Sequence, residues 1–402
     1  MRQTTVLRLL AAIPGVAVLA CLALVARYRR RPASPRVVLG STPIITLASI
    51  AHALRMAGYA ARTLVHPPYA INHADDFDEV IPATILAPYR AAARMLLSAD
   101  VLVCFFDGGP LGTTPIARCE TTLLRLAGCR IIVMPYGSDA FIASRIACRA
   151  WRDGVLATYP RLGRDEARIS ARVDRWCMAA DLVIGCIVHR ETLPRCDVLT
   201  THYYPIDTQA WTPAAHRPER DGRVHEVVVG HSPNHRGVKG TAELIAAVDR
   251  LRSEGLRIRL DLMEGIPNRE VRTRLAGCDI LVEQLHLGYA LSAMEGMALA
   301  LPVVSNLEDP AYYDLHRRCT GLDRCPIVSC SPMTVADALR TLATDPALRR
   351  RLGEAGRSYV ERHHGMASAA RLWRRLLHAV ATHERGPIIW NAESEDGDVR
   401  TG

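Results

Sequence analysis

Lysine is nearly missing from this chain: Lys239 is the only one, and a net charge of +9 over 402 residues is carried by arginine. Phenylalanine is also scarce, with four in the whole sequence, and no helix-turn-helix, zinc-finger or RNA-recognition pattern is present. The surplus positive charge is therefore assigned to phosphates or a membrane surface, and nucleic acid is set aside as a partner. The twelve cysteines form no CxxC pairs and have no histidines at finger spacing. They read as reduced, mostly buried thiols, which excludes a disulfide scaffold and a zinc ribbon.

Charge is absent altogether from Leu9 to Ala26, 18 residues, close to the roughly 20 that cross about 30 Å of hydrocarbon. Arg2 and Arg8 precede this run, whereas Arg27, Arg29, Arg30, Arg31 and Arg36 follow it. The positive-inside bias then predicts a single-pass N-terminal anchor, with the globular part on the cytoplasmic face of the inner (plasma) membrane. A signal peptide ending near Cys21 is the rival, and the arginines after the run argue against export. Residues 1–35 are read as anchor and linker.

What remains is long enough for two domains with full cores. Apolar runs at Val37–Leu39, Ala61–Val65, Ala99–Phe106, Arg130–Met134 and Leu182–Gly185 alternate with helix-like segments. That pattern predicts a parallel α/β sheet covered on both faces. Gly40-Ser41 forms a tight loop after the first strand, as in the opening unit of a Rossmann-like half. Pro135-Tyr136-Gly137-Ser138-Asp139 follows another strand, where open α/β sheets bind ligands; Asp139 serves equally as a helix N-cap. Asp76-Phe77-Asp78 has DxD spacing, but its acidic neighbours mark a solvated loop rather than a metal site. Proline at 205, 213 and 218 marks a linker, giving domains at 36–213 and 214–383 and an unstructured tail at 384–402.

The second half repeats the design. An apolar strand at Glu226–Gly230 leads into His231-Ser232-Pro233-Asn234-His235-Arg236-Gly237-Val238-Lys239-Gly240, and Thr241 opens an amphipathic helix. Two cations and two glycines before a helix N-terminus suit a pyrophosphate. One unit later, Asp279–Leu285 reads as a strand ending in Glu283-Gln284, then Gly288, a helix carrying Leu291, Ser292 and Glu295, and a strand after Pro302.

These stretches resemble a known family. Gly288 to Val304 is similar to the E-G-F-G-x-x-x-x-E-A-M-A-x-G-x-P-V-V segment of GT-B fold retaining glycosyltransferases of the family 4 type. The second Glu of their E-x7-E motif falls on Glu295 and the first on Leu287. Relatives with D-Q-L-x-x-G-W-Y-G also lack that first Glu, so Glu283-Gln284-Leu285 marks a variant in which Glu283 or Gln284 takes the hexose contact. Arg236 to Gly240 resembles the family's R-x-x-K-G, Pro135–Asp139 its H-G-S-D turn with Tyr136 for His, Tyr203–Trp211 its interdomain hinge, and Asp345–Arg349 its D-P-x-L-R.

The resemblance implies two Rossmann-like domains facing a cleft, preceded here by the transmembrane helix. It also implies sugar transfer from a nucleotide diphosphate with retention, with no resident cofactor and no metal. Arg236 and Lys239 would hold the donor phosphates and, with Asp139, act in catalysis. Glu295, Gly288, Leu291, Ser292, Glu283 and Gln284 would bind the donor, and Gly40, Ser41, Tyr136 and Gly137 would face the sugar or acceptor. Expected partners are a nucleotide sugar, a lipid-linked or polysaccharide acceptor and a membrane. The alternatives are a degenerate GT-B protein that only binds, and a sugar-nucleotide epimerase.

Overall fold

The computed structural model describes residues 2–399 except 70–71, 187–188, 201–203, 216, 310–312, 315–316, 318–321, 385–387 and 391–397, with side chains between residues 12 and 388. Tyr203 of the hinge segment lies outside the described residues. The chain divides into two compact units: Met1–Ile142 with Asp165–Leu199 and Ala370–Ile388, and Ala143–Arg164 with Thr200–Ala369 and Ile389–Gly402.

In chain order the first unit contains α1 (Arg2–Arg27), β1 (Val37–Leu39), α2 (Thr46–Met56), β2 (Ala61–Val65), β3 (Glu79–Val80), α3 (Ala87–Ser98), β4 (Val101–Phe105), α4 (Glu120–Leu126) and β5 (Arg130–Met134). Helices α5 (Arg149–Thr158) and α6 (Pro160–Arg164) belong to the second unit, and the chain then returns with α7 (Glu166–Ala179), β6 (Leu182–Gly185) and β7 (Val198–Leu199). The strands lie parallel in the order β3-β2-β1-β4-β5-β6-β7. Strand β4 is buried along its whole length, and β5 beyond its first residue, because helices cover both faces. The acidic DxD loop supplies edge strand β3: Asp78 accepts from the Thr63 N–H at 2.8 Å and pairs with Arg55, and Glu79 pairs with Arg62.

The membrane anchor is overturned. Among the described residues no helix is long and apolar enough to cross a membrane, and the localisation deduced from one falls with it. Helix α1 instead packs on α3 and α4. Its small-residue face, including Ala12, Leu19, Ala23 and Ala26, is buried there, and a side chain at Gly15 would strike the Tyr89 ring at 2.7 Å. Packing asks for one apolar face only, and on the rest of the helix Ile13, Val18, Leu24 and Val25 remain exposed.

The second unit continues with β8 (Val227–His231), α8 (Arg236–Lys239), α9 (Thr241–Ser253), β9 (Ile258–Leu262), α10 (Asn268–Ala276), β10 (Ile280–Val282), α11 (Leu291–Ala298), β11 (Val303–Ser305), β12 (Val328–Ser329), α12 (Val335–Thr344) and α13 (Pro346–His363). Its strands are parallel in the order β12-β11-β10-β8-β9. Helix α14 (Met366–Thr382) follows, and in the tail Ile388–Trp390 and Asp398–Val399 pair antiparallel. The core on one face of this sheet joins Val227 and Val229 to Leu244, Val248 and Leu251 of α9 and to Leu339 and Leu342 of α12. On the other face α11 lies so close to β10 that a Cβ at Gly296 would collide with the Leu281 side chain.

Gly296→Val is therefore expected to destabilise the fold by about 1–3 kcal/mol through overpacking, read as a lower urea midpoint with an unchanged slope.

Candidate functional site

Open parallel sheets bind ligands at the carboxyl ends of the strands where the order reverses direction. That point falls between β8 and β10 in the second unit and between β1 and β4 in the first. Each carries a cluster of polar side chains.

In the second unit, the segment read as a loop from sequence contains the single helical turn α8. Gly240 links α8 to α9 with φ +72°, and a Cβ there would lie 2.8 Å from that of Leu285, so backbone and neighbour both require glycine. The turn carries Lys239 inward, where its ammonium donates to Glu283 at the end of β10. The two side chains are 11% and 0% exposed. The same carboxylate accepts from Ser292 Oγ at 2.9 Å and the Ala290 N–H at 3.2 Å, while the single proton of Ser305 Oγ has the nearer Gly288 and Gln284 carbonyls at 2.5 and 2.9 Å. Glu283 thus joins α8 to the start of α11, and Ser305 ties β11 to the turn before α11. An ammonium has three N–H donors, so Lys239 keeps capacity for a second anion.

Glu295 projects from α11 into the same region and accepts from Asn268 Nδ2 at 3.0 Å. Burial raises its carboxyl to about 7; Asn268 and Lys239 oppose that shift and Glu283 adds to it. His231, fully buried, bonds the Val282 carbonyl through Nδ1 at 2.7 Å and Thr241 Oγ1 through Nε2 at 2.9 Å. With Nδ1 as the donor, Nε2 accepts, and burial lowers the ring to about 4, so it stays neutral. His231 pins β8 to β10 and α9.

Of the two residues proposed to replace the missing Glu, Gln284 turns its amide onto the Leu287 carbonyl, Leu287 is buried, and the Gly288 N–H donates to Asn306 at 2.8 Å. Gln284 closes a turn while Glu283 faces Lys239. Arg236 is separated from this cluster in partner: it is exposed and makes a two-point pair with Glu264 at 2.7 and 2.5 Å. Leu291 and Ser292 open α11 and are half-buried.

In the first unit, the Gly40 N–H donates to Val103 at 3.0 Å, the Ser41 N–H to Gly108 at 3.1 Å, and Ser41 accepts from the His66 N–H at 2.8 Å. Asp139 is buried and takes three backbone N–H groups, from Phe106 at 3.0 Å, Tyr136 at 3.0 Å and Gly137 at 2.9 Å. Burial, then the nearby Asp107, pushes it up to about 7 against those amides. Asp107 accepts from the Tyr136 hydroxyl at 2.8 Å and pairs with Arg172 at 2.6 Å, while Arg172 also donates to the Asp139 carbonyl at 2.9 Å. Glu120 holds the loop after β4 through the Gly109 and Leu111 N–H groups at 3.0 and 2.9 Å, and burial raises it to about 7. Sequence reasoning missed Asn268, Arg172 and Glu120. The one local signal was for Glu120, an acid that opens the helix Glu120–Leu126.

No family model matches the chain, and no curated protein matches it in sequence. Among solved structures it is similar to Alr3699/HepE of Anabaena in complex with UDP-glucose, with TM-score 0.54 and 13% identity over 85% of this chain and 99% of that one. It is also similar to a glycosyltransferase from Rickettsia africae, with TM-score 0.48 and 10% identity over 87% and 100% of the two chains. For a Thermobaculum terrenum O-GlcNAc transferase mutant the TM-score is 0.45, with 15% identity over 90% and 73%. The first likeness shows the fold, an α/β GT-B-like architecture with parallel sheets.

Three buried acids with raised values make stability fall as pH rises, and buried histidines such as His231, lowered to about 4, make it rise. Asp139, Glu120 and Glu295 start from 3.8, 4.5 and 4.5 and reach about 7 in the folded chain. Between these limits the folded state holds protons the unfolded state has released, so this contribution is full below the lower values and lost as pH rises towards 7. Glu120→Gln removes one of these contributions, so the melting midpoint of the unaltered chain is expected to fall relative to that of the variant as pH rises from about 4.5 to about 7.

Proposed function

We propose that the chain is a glycosyltransferase that moves a sugar from a nucleotide diphosphate to a hydroxyl of an envelope or polysaccharide acceptor, with retention and without a bound metal. The observation that carries this reading is the cluster of Lys239, Glu283, Ser292 and Glu295 at the β8/β10 reversal point. The bound UDP-glucose of the Anabaena relative, which shares the fold, supports the donor class.

In this reading the departing β-phosphate gathers negative charge as the sugar bond breaks. The spare N–H groups of Lys239 and the start of α11 stabilise that charge, assisted by Ser292. Glu295 accepts hydrogen bonds from the ribose hydroxyls, with Asn268 fixing its orientation. Arg236 reaches the phosphates by exchanging its exposed pair with Glu264, a contact that costs little to break. In the first unit Asp139 holds the turn that presents Tyr136 and Gly137, and Asp107 offers a half-exposed carboxylate to an acceptor hydroxyl. The binding-only alternative draws on one observation, that both cations of the phosphate loop already carry carboxylate partners.

The test is purified protein with UDP-, GDP- and ADP-sugars, followed by donor binding, hydrolysis and transfer, and by the anomeric configuration of the product. Transfer is expected to persist in EDTA, and Lys239→Met, which also leaves Glu283 unpaired and is assayed on protein shown to be folded by its melt, to lower kcat by about 10²–10³. Donor affinity should rise as pH passes through about 7, where Glu295 ionises, and Glu295→Gln should flatten that profile. Binding without turnover for every donor would favour the alternative; no binding at all sinks both.

A further inference from the structure

The amino edge of the first unit's sheet, at the end opposite Asp107 and Asp139, holds a cleft of about 380 Å³ lined by Arg27, Arg31, Arg125, Arg130, Gly128, Cys129 and Asp181. Four guanidinium groups thus meet one carboxylate. The neighbouring acid, Asp100, is taken by Arg29 at 2.8 Å and Arg36 at 2.9 Å and leaves the cleft's charge uncancelled.

Three of these arginines are oriented by the fold. Arg31 donates to the carbonyls of Ala127 at 3.2 Å and Gly128 at 2.5 Å, and Arg125 donates to the Ala179 carbonyl at 3.0 Å. Carbonyl oxygens fix a guanidinium without removing its charge, and each group retains further N–H donors. Arg130 pairs with Asp181 at 3.0 Å and touches His383. Arg27 is exposed and has no partner among the described residues. Gly128, at φ +68°, leaves the space that Arg31 fills: a Cβ there would lie 2.5 Å from its Nη2. The backbone is shaped to admit a guanidinium at this point.

We propose that this cleft is a phosphate-binding site, separate from the sugar-transfer site. Planar guanidinium forks match phosphate oxygens in pairs, and preorganised donors lose little freedom on binding. The group recognised is the phosphate itself, whether of a soluble diphosphate or of a lipid headgroup. The exposed Leu24, Val25 and Tyr28 beside Arg27 make the second source worth a separate arm.

The full chain is tested with two probes, inorganic pyrophosphate by titration calorimetry and phosphatidylglycerol against phosphatidylcholine vesicles by flotation. The variant is Arg27→Gln/Arg31→Gln, with Arg90→Gln/Arg168→Gln on the exposed surfaces of α3 and α7 as a charge-matched control. A loss of about tenfold or more in affinity for either probe, absent from the control, is expected. Loss of pyrophosphate binding alone identifies a soluble phosphate, and loss of phosphatidylglycerol retention a lipid one. No binding of either probe by the unaltered chain, unchanged binding of both in the folded double variant, or an equal loss in the control overturns the proposal. Should the double variant not fold, Arg27→Gln removes an exposed guanidinium that has no hydrogen-bond or ion-pair partner among the described residues, with Arg168→Gln as its single-charge control, and the same outcomes decide.

Discussion

The contact on which the second unit's strand edge depends is the buried pair between Lys239 and Glu283. A lone ammonium or carboxylate at that depth would be expensive, and removing one partner of such a pair typically costs about 3–5 kcal/mol. The pair is tolerated because its carboxylate is well supplied with donors: beside the ammonium it takes Ser292 and the Ala290 N–H. Those donors come from α11 and the turn before it, so the electrostatics of one carboxylate tie α8 and β10 to α11, and Ser305 of β11 joins through the Gly288 and Gln284 carbonyls. Gly240 and His231 serve the same end from the β8 side.

This arrangement also explains why the chain keeps one lysine among its arginines. Arg236, three residues earlier, shows what a guanidinium does nearby: it locks edge-on to a single carboxylate, Glu264, in a two-point pair. An ammonium is a point charge with three directions of donation. It can hold Glu283 and still present N–H groups elsewhere, which under the proposed function serve an incoming anion.

Much of the fold was legible because its central strands are short apolar runs bounded by glycine and proline, and β1, β2, β5 and β6 lie where those runs are. The two-residue strands β3, β7 and β12 were not, since two residues carry no periodicity. Nor does any local signal place Ala143–Arg164 with the second unit; its contacts with α8 are long-range, such as Tyr159 against His235 at 4.5 Å between ring centroids. The Leu9–Ala26 run misled because absence of charge was read without its facing: one side packs on α3 and α4, while Ile13, Val18, Leu24 and Val25 stay exposed. In the site, Lys239, Glu283 and Glu295 stood out from motif spacing. Asn268 and Arg172 act through partners 27 and 33 residues away and cannot be seen in a window of sequence.

The position aligned with the missing family Glu follows from the same geometry. Residue 287 lies in a turn closed by the Gln284 side chain and packs as a buried leucine, so a carboxylate there would lack the amide and hydroxyl donors that Glu283 collects. Residue 283 instead leaves the end of β10, a strand held by both β8 and β11. Moving the acid back to the strand end trades the reach of a loop carboxylate for a rigid support and gives Lys239 a fixed partner. Lys239, Ser292 and the Ala290 N–H occupy three of the roughly four acceptor positions of Glu283. Under the proposed function, a hexose at this edge would be left the one remaining position, Glu295 and backbone groups, so placing the acid at the strand end changes how the site is built as well as which residue is acidic.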